Sequence, residues 1–524
     1  MANKNILLIE PSYRNKYPPL GLMKIAQYHG LRGKNDNVTF IKGEDKSVLG
    51  KAWDRIYITT LFSFEWPRIA RAIDFAVEVA NGETNKIFVG GIAASLMHDK
   101  FVGEVRWAGI RFIKGLLDTA PATSLQLDEF EEELYSSDTQ GTPIEDMIPD
   151  YGILEQIDYK YPVSDAYFVY ASRGCIRKCK FCGVPNLEGG MRDTYSVTRI
   201  VQEIEKRYGP KKDLTFMDNN VVASPRFKDI IAEIRDLGFT PGAKLKRDRI
   251  PVLRRVDFNQ GVDARILCKD PMYLRELSTI ALKPLRIAFD HLGVRKPYEQ
   301  AIRYAAEFGL TDLSNYMLYN FMDTPEDLFQ RMRLNVTLNE ELDIRIFSFP
   351  MRYQPIELPD RSHIGPNWNR HFLRSMQIIL QATHGIVSGA PTFFRQAFGD
   401  TAEQYLDLLH LPHHFIFNRF WFEFGDGRGE LDDYKTIYGK LSESEKTELV
   451  TYLSETEKSD IGVEGMTGLS PLVRSILPFY KPMAKSEERK IWDAQKERTK
   501  TIVKERFDVP EDERVEDADL EMAS

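Results

Sequence analysis

The sequence predicts an α/β protein in three parts: an N-terminal doubly wound parallel sheet, a central partial (β/α)6 barrel and a mostly helical C-terminal region. Three observations predict it. Short apolar runs alternate with segments of helical spacing from Asn5 to about residue 120, the pattern of parallel strands joined by crossover helices. The same alternation returns between Tyr167 and about Tyr353, with six strand-like runs. Beyond about Glu357 the strand signal is lost while helical periodicity continues. A chain of 524 residues also exceeds what one core usually organises.

The elements follow in order. In residues 1–120, Asn5–Ile9 is a short apolar strand, and Leu20–His29 has helical spacing with Leu20, Met23, Ile25 and Ala26 on one face. Val38–Ile41 and Arg55–Thr59 read as strands, Trp66–Ala80 as a helix, and Lys86–Val89 as a strand that runs into Gly90 and Gly91. Residues 121–165 change character. The acidic run Leu127–Glu133 and the turn formers of Ser136–Pro149 mark a linker. In residues 166–356 the predicted strands are Tyr167–Tyr170, Leu214–Met217, Val256–Asn259, Leu285–Phe289, Tyr316–Tyr319 and Ile344–Phe347. Amphipathic Val197–Tyr208 and Phe227–Leu237 lie between them. Residues 357–483 form the helical region, with helices at Asn367–His384 and at Ser442–Leu453, the second capped by Ser442. The tail, 484–524, is dense in charge and poor in large apolar residues, so it reads as a solvated helix followed by a disordered end.

Composition removes some functions. No run of about 18 uncharged apolar residues is present, which argues against a membrane span. The opening Met1–Glu10 holds too short an apolar stretch for a secretion signal, so a cytoplasmic location follows by default. A net charge of −8 argues against a chain built mainly to coat nucleic acid, though it leaves room for a local basic groove. Three of the four cysteines fall within eight residues of one another. A secreted disulfide framework spreads its cysteines, so this clustering points to metal binding in a reducing compartment.

The informative segment is Ser172-Arg-Gly-Cys175-Ile-Arg-Lys-Cys179-Lys-Phe-Cys182. Thiolates are the usual ligands of iron–sulfur clusters, and three of them leave one iron of a cubane open to an amino and a carboxylate group. A ferredoxin run needs a different spacing, and a structural zinc site usually takes four protein ligands. In spacing, and in Phe181 before the last cysteine, the segment resembles the Cys-x3-Cys-x2-Cys signature of the radical S-adenosylmethionine superfamily, which sits after the first barrel strand. The resemblance implies a 4Fe-4S cluster on Cys175, Cys179 and Cys182, and reductive cleavage of S-adenosylmethionine to a deoxyadenosyl radical that abstracts hydrogen from substrate. It also implies a one-electron reductant such as flavodoxin or ferredoxin. Arg177, Lys178 and Lys180 offset the thiolate charge on one reading and are solvated loop charges on the other.

Strand ends carry the resemblance further. Asp218, Asn219 and Asn220 close the second barrel strand, where relatives contact the methionine moiety, although the familiar Gly-Gly-Glu is absent. Gln260 and Asp263 lie in Asn259–Arg265 after the third strand, Asp290 ends the fourth, and Asn320 ends the fifth. Barrel enzymes bind ligands at this carboxyl edge, so these residues are the candidate contacts for S-adenosylmethionine. Each is also explained by a turn or a helix cap.

Residues 1–100 resemble the cobalamin-binding-type domain found ahead of such barrels, through Tyr17–Leu22, the strand reaching Thr60, and Val89–Ser95 with Gly90 and Gly91. No histidine stands in Asp-x-His-x-x-Gly, the motif that supplies cobalt with a lower ligand. Two readings stay open: cobalamin bound without that ligand, or a domain that keeps only the fold and shapes the substrate entrance. With cobalamin the implied reaction is methyl transfer to an unactivated carbon; without it, a rearrangement or an oxidation. The resemblance spans residues 1–355. A non-catalytic iron–sulfur electron carrier and a structural zinc module are the rival readings, and the substrate is not legible.

Smaller signals read more plainly. Cys268 among Ile266, Leu267 and Pro271 reads as a small buried hydrophobe, with a second-site ligand or a catalytic thiol as the alternatives. The basic run Lys244–Arg249 with Arg254 and Arg255 reads as a solvated loop, with phosphate or an acidic substrate as the alternative. His410, His413 and His414 near Asp407 suggest a metal, but Pro412 interrupts any helix that would align them, so a packed helix end is expected.

Overall fold

A computed structural model describes residues 3–118, 134–135, 137, 141–194, 196–247, 250–383, 385–387, 389–455 and 468–481. The acidic run 127–133 and the tail 484–524 lie outside the described residues. The fold is α/β, with parallel sheets and helices in two compact units. The first comprises Met1–Ala288, Lys296–Ser314 and Gln354–His363, and the second Phe289–Arg295, Asn315–Tyr353 and Ile364–Ser524.

The first unit opens with a parallel sheet of β1 (Asn5–Glu10), β2 (Asn37–Lys42), β3 (Arg55–Thr60), β4 (Ile87–Gly91) and β5 (Arg111–Phe112), in the order β2-β1-β3-β4-β5. The order reverses between β1 and β3, which is the switch point of a doubly wound sheet. β1 is apolar from Ile6 to Ile9 because both its faces are covered, as parallel central strands require. Leu7 and Ile9 join the cluster formed by Ile69, Ile73, Ala76 and Val79 of helix Trp66–Val79, while Ile6 and Leu8 are equally buried on the opposite face. β5 was not expected, since two residues carry no periodicity.

The stretch expected to be a linker packs into this unit where it is described. Ile144, Tyr151, Ile153 and Tyr161 are buried, and the Tyr151 hydroxyl donates to the Ala166 carbonyl (2.9 Å). It leads into β6 (Ala166–Val169), then β7 (Ser172–Arg173) and β8 (Arg192–Asp193), an antiparallel clip whose strands flank the cysteine segment. β9 (Asp213–Phe216) lies between β6 and, beyond a short hairpin of β10 (Lys244–Leu245) and β11 (Val252–Leu253), β12 (Val256–Phe258). β6, β9 and β12 are parallel, so Val169, Phe216 and Phe258 end side by side. The helices Val197–Tyr208 and Phe227–Asp236 present Val201, Ile204, Ile230 and Ile234 inward at the expected spacing. β13 is confined to Leu285–Arg286, shorter than the predicted Leu285–Phe289, and pairs in parallel with Leu313–Ser314 at the start of β14 (Asp312–Tyr319).

The second unit holds the rest of β14, helix Pro325–Leu342 and β15 (Arg345–Arg352). Thr324 and Asp327 close a capping box at that helix's start, exchanging side-chain and backbone hydrogen bonds. Helices then predominate from Arg370 onward. His410, His413 and His414 are packed here as expected: His410 Nδ1 meets the Leu406 carbonyl (2.8 Å), and the His413 ring stacks on His371 at 4.5 Å. Asp407 accepts from the Tyr438 hydroxyl (3.0 Å) instead of joining them. Among the described residues no helix is long and apolar enough to cross a membrane.

Candidate cofactor site at the cysteine loop

The cysteine loop leaves β7 at Gly174 and returns to β8. Its entry is fixed by backbone geometry. Gly174 has φ +74°, and a Cβ there would stand 2.2 Å from the Gly190 carbonyl oxygen, so only glycine lets the two strands of the clip approach this closely. The Cys175 N–H then donates to the Gly189 carbonyl (3.4 Å). Within the loop, Cys182 N–H donates to the Cys179 carbonyl (3.1 Å), and the Cys175 sulfur accepts from the Arg177 N–H (3.3 Å). All three cysteines are partly buried.

Carboxylates secure the base of this loop. Asp218 Oδ2 accepts from Ala171 N–H (3.0 Å), and Oδ1 accepts from the Ser172 N–H (2.6 Å) and hydroxyl (2.7 Å). Burial pushes the Asp218 carboxyl up to about 6, against those three bonds, which favour its charge. Glu188 Oε2 accepts from Gly174 N–H (2.7 Å) and Asn219 Nδ2 (3.0 Å). Arg173 places Nη2 on Glu145 (3.0 Å), Nη1 3.5 Å from Glu188 and its guanidinium 3.9 Å from the centre of the Tyr170 ring. Burial works against the Glu145 charge, yet Lys24 and Arg173 outweigh it and hold that carboxyl below its ordinary value.

A second tether crosses the loop. Asp263 accepts from Arg177 Nε (2.7 Å) and from Arg265 Nε (2.8 Å) and Nη2 (3.1 Å), and the Arg265 guanidinium also contacts the Cys179 sulfur. Burial opposes the Asp263 charge, but the hydrogen bonds from Arg265 and Arg177 prevail and lower its pKa. Asn220 Oδ1 accepts from the Asp263 N–H (3.4 Å). Of the loop cations, Arg177 is therefore committed to Asp263, while Lys178 and Lys180 are exposed.

The first unit thus brings Cys175, Cys179, Cys182, Asp218, Asn219, Asn220 and Asp263 to one sheet edge. Gln260 is exposed on the turn after β12. Asp290 and Asn320 belong to the second unit, where the Asn320 side chain donates to the Tyr353 carbonyl (3.1 Å) and accepts from Gly365 N–H (2.7 Å). Among the described residues no group of three or more His, Cys, Asp or Glu gathers closely enough to hold a metal ion. The donor set itself fits an iron–sulfur cluster: three thiols on one loop, with the Arg177 and Arg265 guanidiniums held at Asp263 beside it to offset thiolate charge. Glu188 and Glu145 were not singled out in the sequence, and Arg173 and Arg265 lay in the quoted segments Ser172–Cys182 and Asn259–Arg265 without a role. The one visible signal was the Gly189–Gly190 pair next to Glu188.

Gly90 and Gly91 end β4. Gly91 has φ +100°, and a Cβ there would meet the Thr60 carbonyl oxygen at 2.4 Å, so this glycine serves the close approach of β3. The Thr60 hydroxyl links both ends by donating to the Gly90 carbonyl (2.9 Å) and accepting from Ala94 N–H (2.9 Å). At the other end of this sheet edge, Glu10 and Lys42 form a buried ion pair (2.7 Å). The Tyr161 hydroxyl donates to Glu10, and Lys42 lies over the Tyr159 ring at 4.5 Å. Phe62 and Ile92, at the ends of β3 and β4, are exposed. Tyr17 donates to the Asn259 side chain beyond β12, and the position of a Gly183 Cβ lies 2.8 Å from Leu96, so the N-terminal sheet bears directly on the cysteine loop. An open cleft of about 340 Å3 between Lys114–Asp118 and Leu187–Arg192 follows the same boundary.

Cys268 is partly buried, its sulfur 3.7 Å from the Arg265 carbonyl. In the basic run, Arg247 binds Asp165 and the Pro210 carbonyl, and Arg254 stacks 3.6 Å from the Phe239 ring centre. Arg249 lies outside the described residues.

No known family profile matches the chain. An uncharacterized methyltransferase of Synechocystis sp. is 26% identical over 223 residues, which are 40% of this chain and 37% of that protein. The chain therefore spans little more than a third of this curated relative's length. Among solved structures, the radical S-adenosylmethionine methyltransferase TsrM of Kitasatospora setae, with cobalamin and a [4Fe-4S] cluster bound, is 15% identical with a TM-score of 0.44, covering 68% of this chain and 77% of that one. The cobalamin-dependent S-adenosylmethionine radical enzyme OxsB, with aqua-cobalamin and S-adenosylmethionine bound, is 13% identical with a TM-score of 0.46, covering 99% and 83%. Both solved structures are of radical S-adenosylmethionine enzymes with a cobalamin bound.

Proposed function

We propose that this chain is a radical S-adenosylmethionine enzyme in which Cys175, Cys179 and Cys182 hold a 4Fe-4S cluster. The observation that carries the reading is the Cys-x3-Cys-x2-Cys loop, set directly after β6 of a parallel sheet and tethered to the ends of β9 and β12. In this reading the parallel strands β6, β9 and β12 are the opening half of the partial (β/α)6 barrel. When bound, the cluster supplies the electron that cleaves S-adenosylmethionine. The chain's own part is to hold the loop at two points, through Asp218 with Glu188 and through Asp263, and to present Asn219 and Asn220 at the adjoining strand end. Asp218 commits both oxygens to the loop base and Asn220 is buried against the Asp263 N–H, whereas Asn219 commits only its Nδ2, to Glu188, and is the least buried of the three, so its carboxamide is the best placed to meet the methionine moiety. Gln260 completes the candidate contacts in this unit, while Asp290 and Asn320 belong to the second unit.

The N-terminal sheet suits a cobalamin held without a protein ligand to cobalt, with exposed Phe62 and Ile92 offering an apolar surface beside Gly90 and Gly91. Its β1–β2 end is filled by the chain's own Glu10, Lys42, Tyr159 and Tyr161, which restricts a ligand to the β3–β5 side. Methyl transfer is then the reaction class. A flavodoxin or ferredoxin in the reducing cytoplasm is the expected electron source.

The test is anaerobic reconstitution with iron and sulfide, then dithionite and S-adenosylmethionine, with 5′-deoxyadenosine measured against a control without protein, and hydroxocobalamin binding followed by absorbance. Deoxyadenosine from the wild type and none from Cys179→Ala supports the proposal. A cluster without cleavage would mean that cobalamin or substrate is required or that the protein is an electron carrier, and zinc without a cluster would overturn the reading.

A further inference from the structure

We infer that Glu188 is a positioning residue that couples the first cluster cysteine to the end of β9; the inference rests on the function proposed above. Glu188 is on neither the cysteine motif nor a strand end, yet its side chain is only 8% exposed. One oxygen, Oε2, serves two donors: the N–H of Gly174, the residue just before Cys175, and the carboxamide of Asn219. The other, Oε1, stands 3.5 Å from Arg173 Nη1. Arg173 is itself almost wholly buried, and among the described residues its Nε and Nη1 have no hydrogen-bond partner, so the Glu188 charge is the nearest compensation for that end of the guanidinium.

Three groups that must keep a common geometry therefore meet on one carboxylate. Gly174 sets where Cys175 enters the loop, because its positive φ and its contact with Gly190 leave the backbone no freedom at that point. Asn219 sets the strand end where the methionine moiety is proposed to lie. Arg173 ties both to Glu145 and through it to Lys24 of the N-terminal sheet domain. A shift of the Glu188 carboxylate moves Cys175 and Asn219 together. Partners behind a metal's ligands typically change affinity or activity about 10–100-fold when removed.

The experiment compares wild type, Glu188→Ala and Glu188→Gln after reconstitution. It reads iron and sulfide per chain, the electron paramagnetic resonance spectrum of the reduced cluster with and without S-adenosylmethionine, and the melting temperature before reconstitution. Lys42→Met, which weakens the same unit away from the loop, is the control for stability. Glu188→Gln keeps an acceptor for Gly174 and Asn219, and is expected to retain the cluster and its spectral response. Glu188→Ala is expected to need about 10-fold or more S-adenosylmethionine for the same spectral change, or to lose iron, at a melting temperature no lower than that of Lys42→Met. An unaltered titration in Glu188→Ala overturns the inference while leaving the proposed function standing. Loss of iron that only follows melting temperature, equally in Lys42→Met, overturns it as well. A wild type that forms no cluster takes down both.

Discussion

Replacing Gly174 with alanine tests whether the cysteine loop is held by its backbone as described. The left-handed conformation at φ +74° costs an ordinary residue about 1–2 kcal/mol. The added Cβ would also lie 2.2 Å from the Gly190 carbonyl oxygen and 2.9 Å from that of Gly189, both backbone atoms that no rotamer change can remove. Overpacking of this kind costs about 1–3 kcal/mol, so the sum is about 2–5 kcal/mol. Gly189→Ala is the matched comparison. It has φ +73° and nothing within 4 Å of the added carbon, so it should cost the conformational part alone. Because a domain commonly has about 5–15 kcal/mol of stability, the strain should be relieved locally by opening the β7–β8 clip rather than by unfolding the unit. Opening removes the bond from Cys175 N–H to the Gly189 carbonyl and that from Gly174 N–H to Glu188. The assay pairs urea denaturation with iron content after reconstitution. Gly174→Ala should lose most of its iron while Gly189→Ala keeps it, with the two separated by about 1–3 kcal/mol. Equal stability and equal iron in both variants would refute the reasoning.

Three further outcomes follow from buried charge. Lys42→Met leaves Glu10, 1% exposed, without its counter-ion and should cost about 3–5 kcal/mol in thermal or urea unfolding; the double change Glu10→Leu with Lys42→Met should recover much of that loss, and no recovery would show that the pair is not the cause. Arg331 is fully buried in the second unit and binds the Phe289 and Leu318 carbonyls and Asp323, so Arg331→Ala should destabilise by a similar about 3–5 kcal/mol, checked by urea denaturation. Asp218 has a raised pKa, so between its ordinary 3.8 and about 6 the folded chain binds more protons than the unfolded chain, and its contribution to stability falls as pH rises through that window. Asp218→Asn cannot ionise, and its stability relative to wild type should improve by up to about 3 kcal/mol from about pH 3.5 to pH 7; parallel pH profiles would disprove the shift.

Much of the fold is legible because burial writes itself into residue type. β1, β3 and β4 are covered on both faces, which demands the unbroken apolar runs Ile6–Ile9, Ile56–Ile58 and Ile87–Val89. The inward rows of Val197–Tyr208 and Phe227–Asp236 are equally plain at helical spacing. β5 is not legible, because two residues of an edge strand acquire their conformation from β4 and not from their own pattern. The predicted strand at Leu285–Phe289 shows the reverse: an apolar run does not say how far its neighbour keeps step, and only Leu285 and Arg286 pair in a ladder.

The candidate site divides in the same way. Cys175, Cys179 and Cys182 are readable because their chemistry lies in a local spacing within one loop. Their tethers are not, because Glu188 reaches Asn219 and Arg173 reaches Glu145 across stretches of chain that only folding closes. Asp263 is visible as a strand-end carboxylate, but its partners Arg177 and Arg265 come together by the packing of the loop against the turn after β12. By itself the sequence determined the alternating α/β order, the helical C-terminal part and the thiol donor set, since each depends on side-chain type at short range. Tertiary structure alone decided which carboxylates serve the loop and which remain for a ligand, because a carboxylate's partner is set by where distant strands end in space.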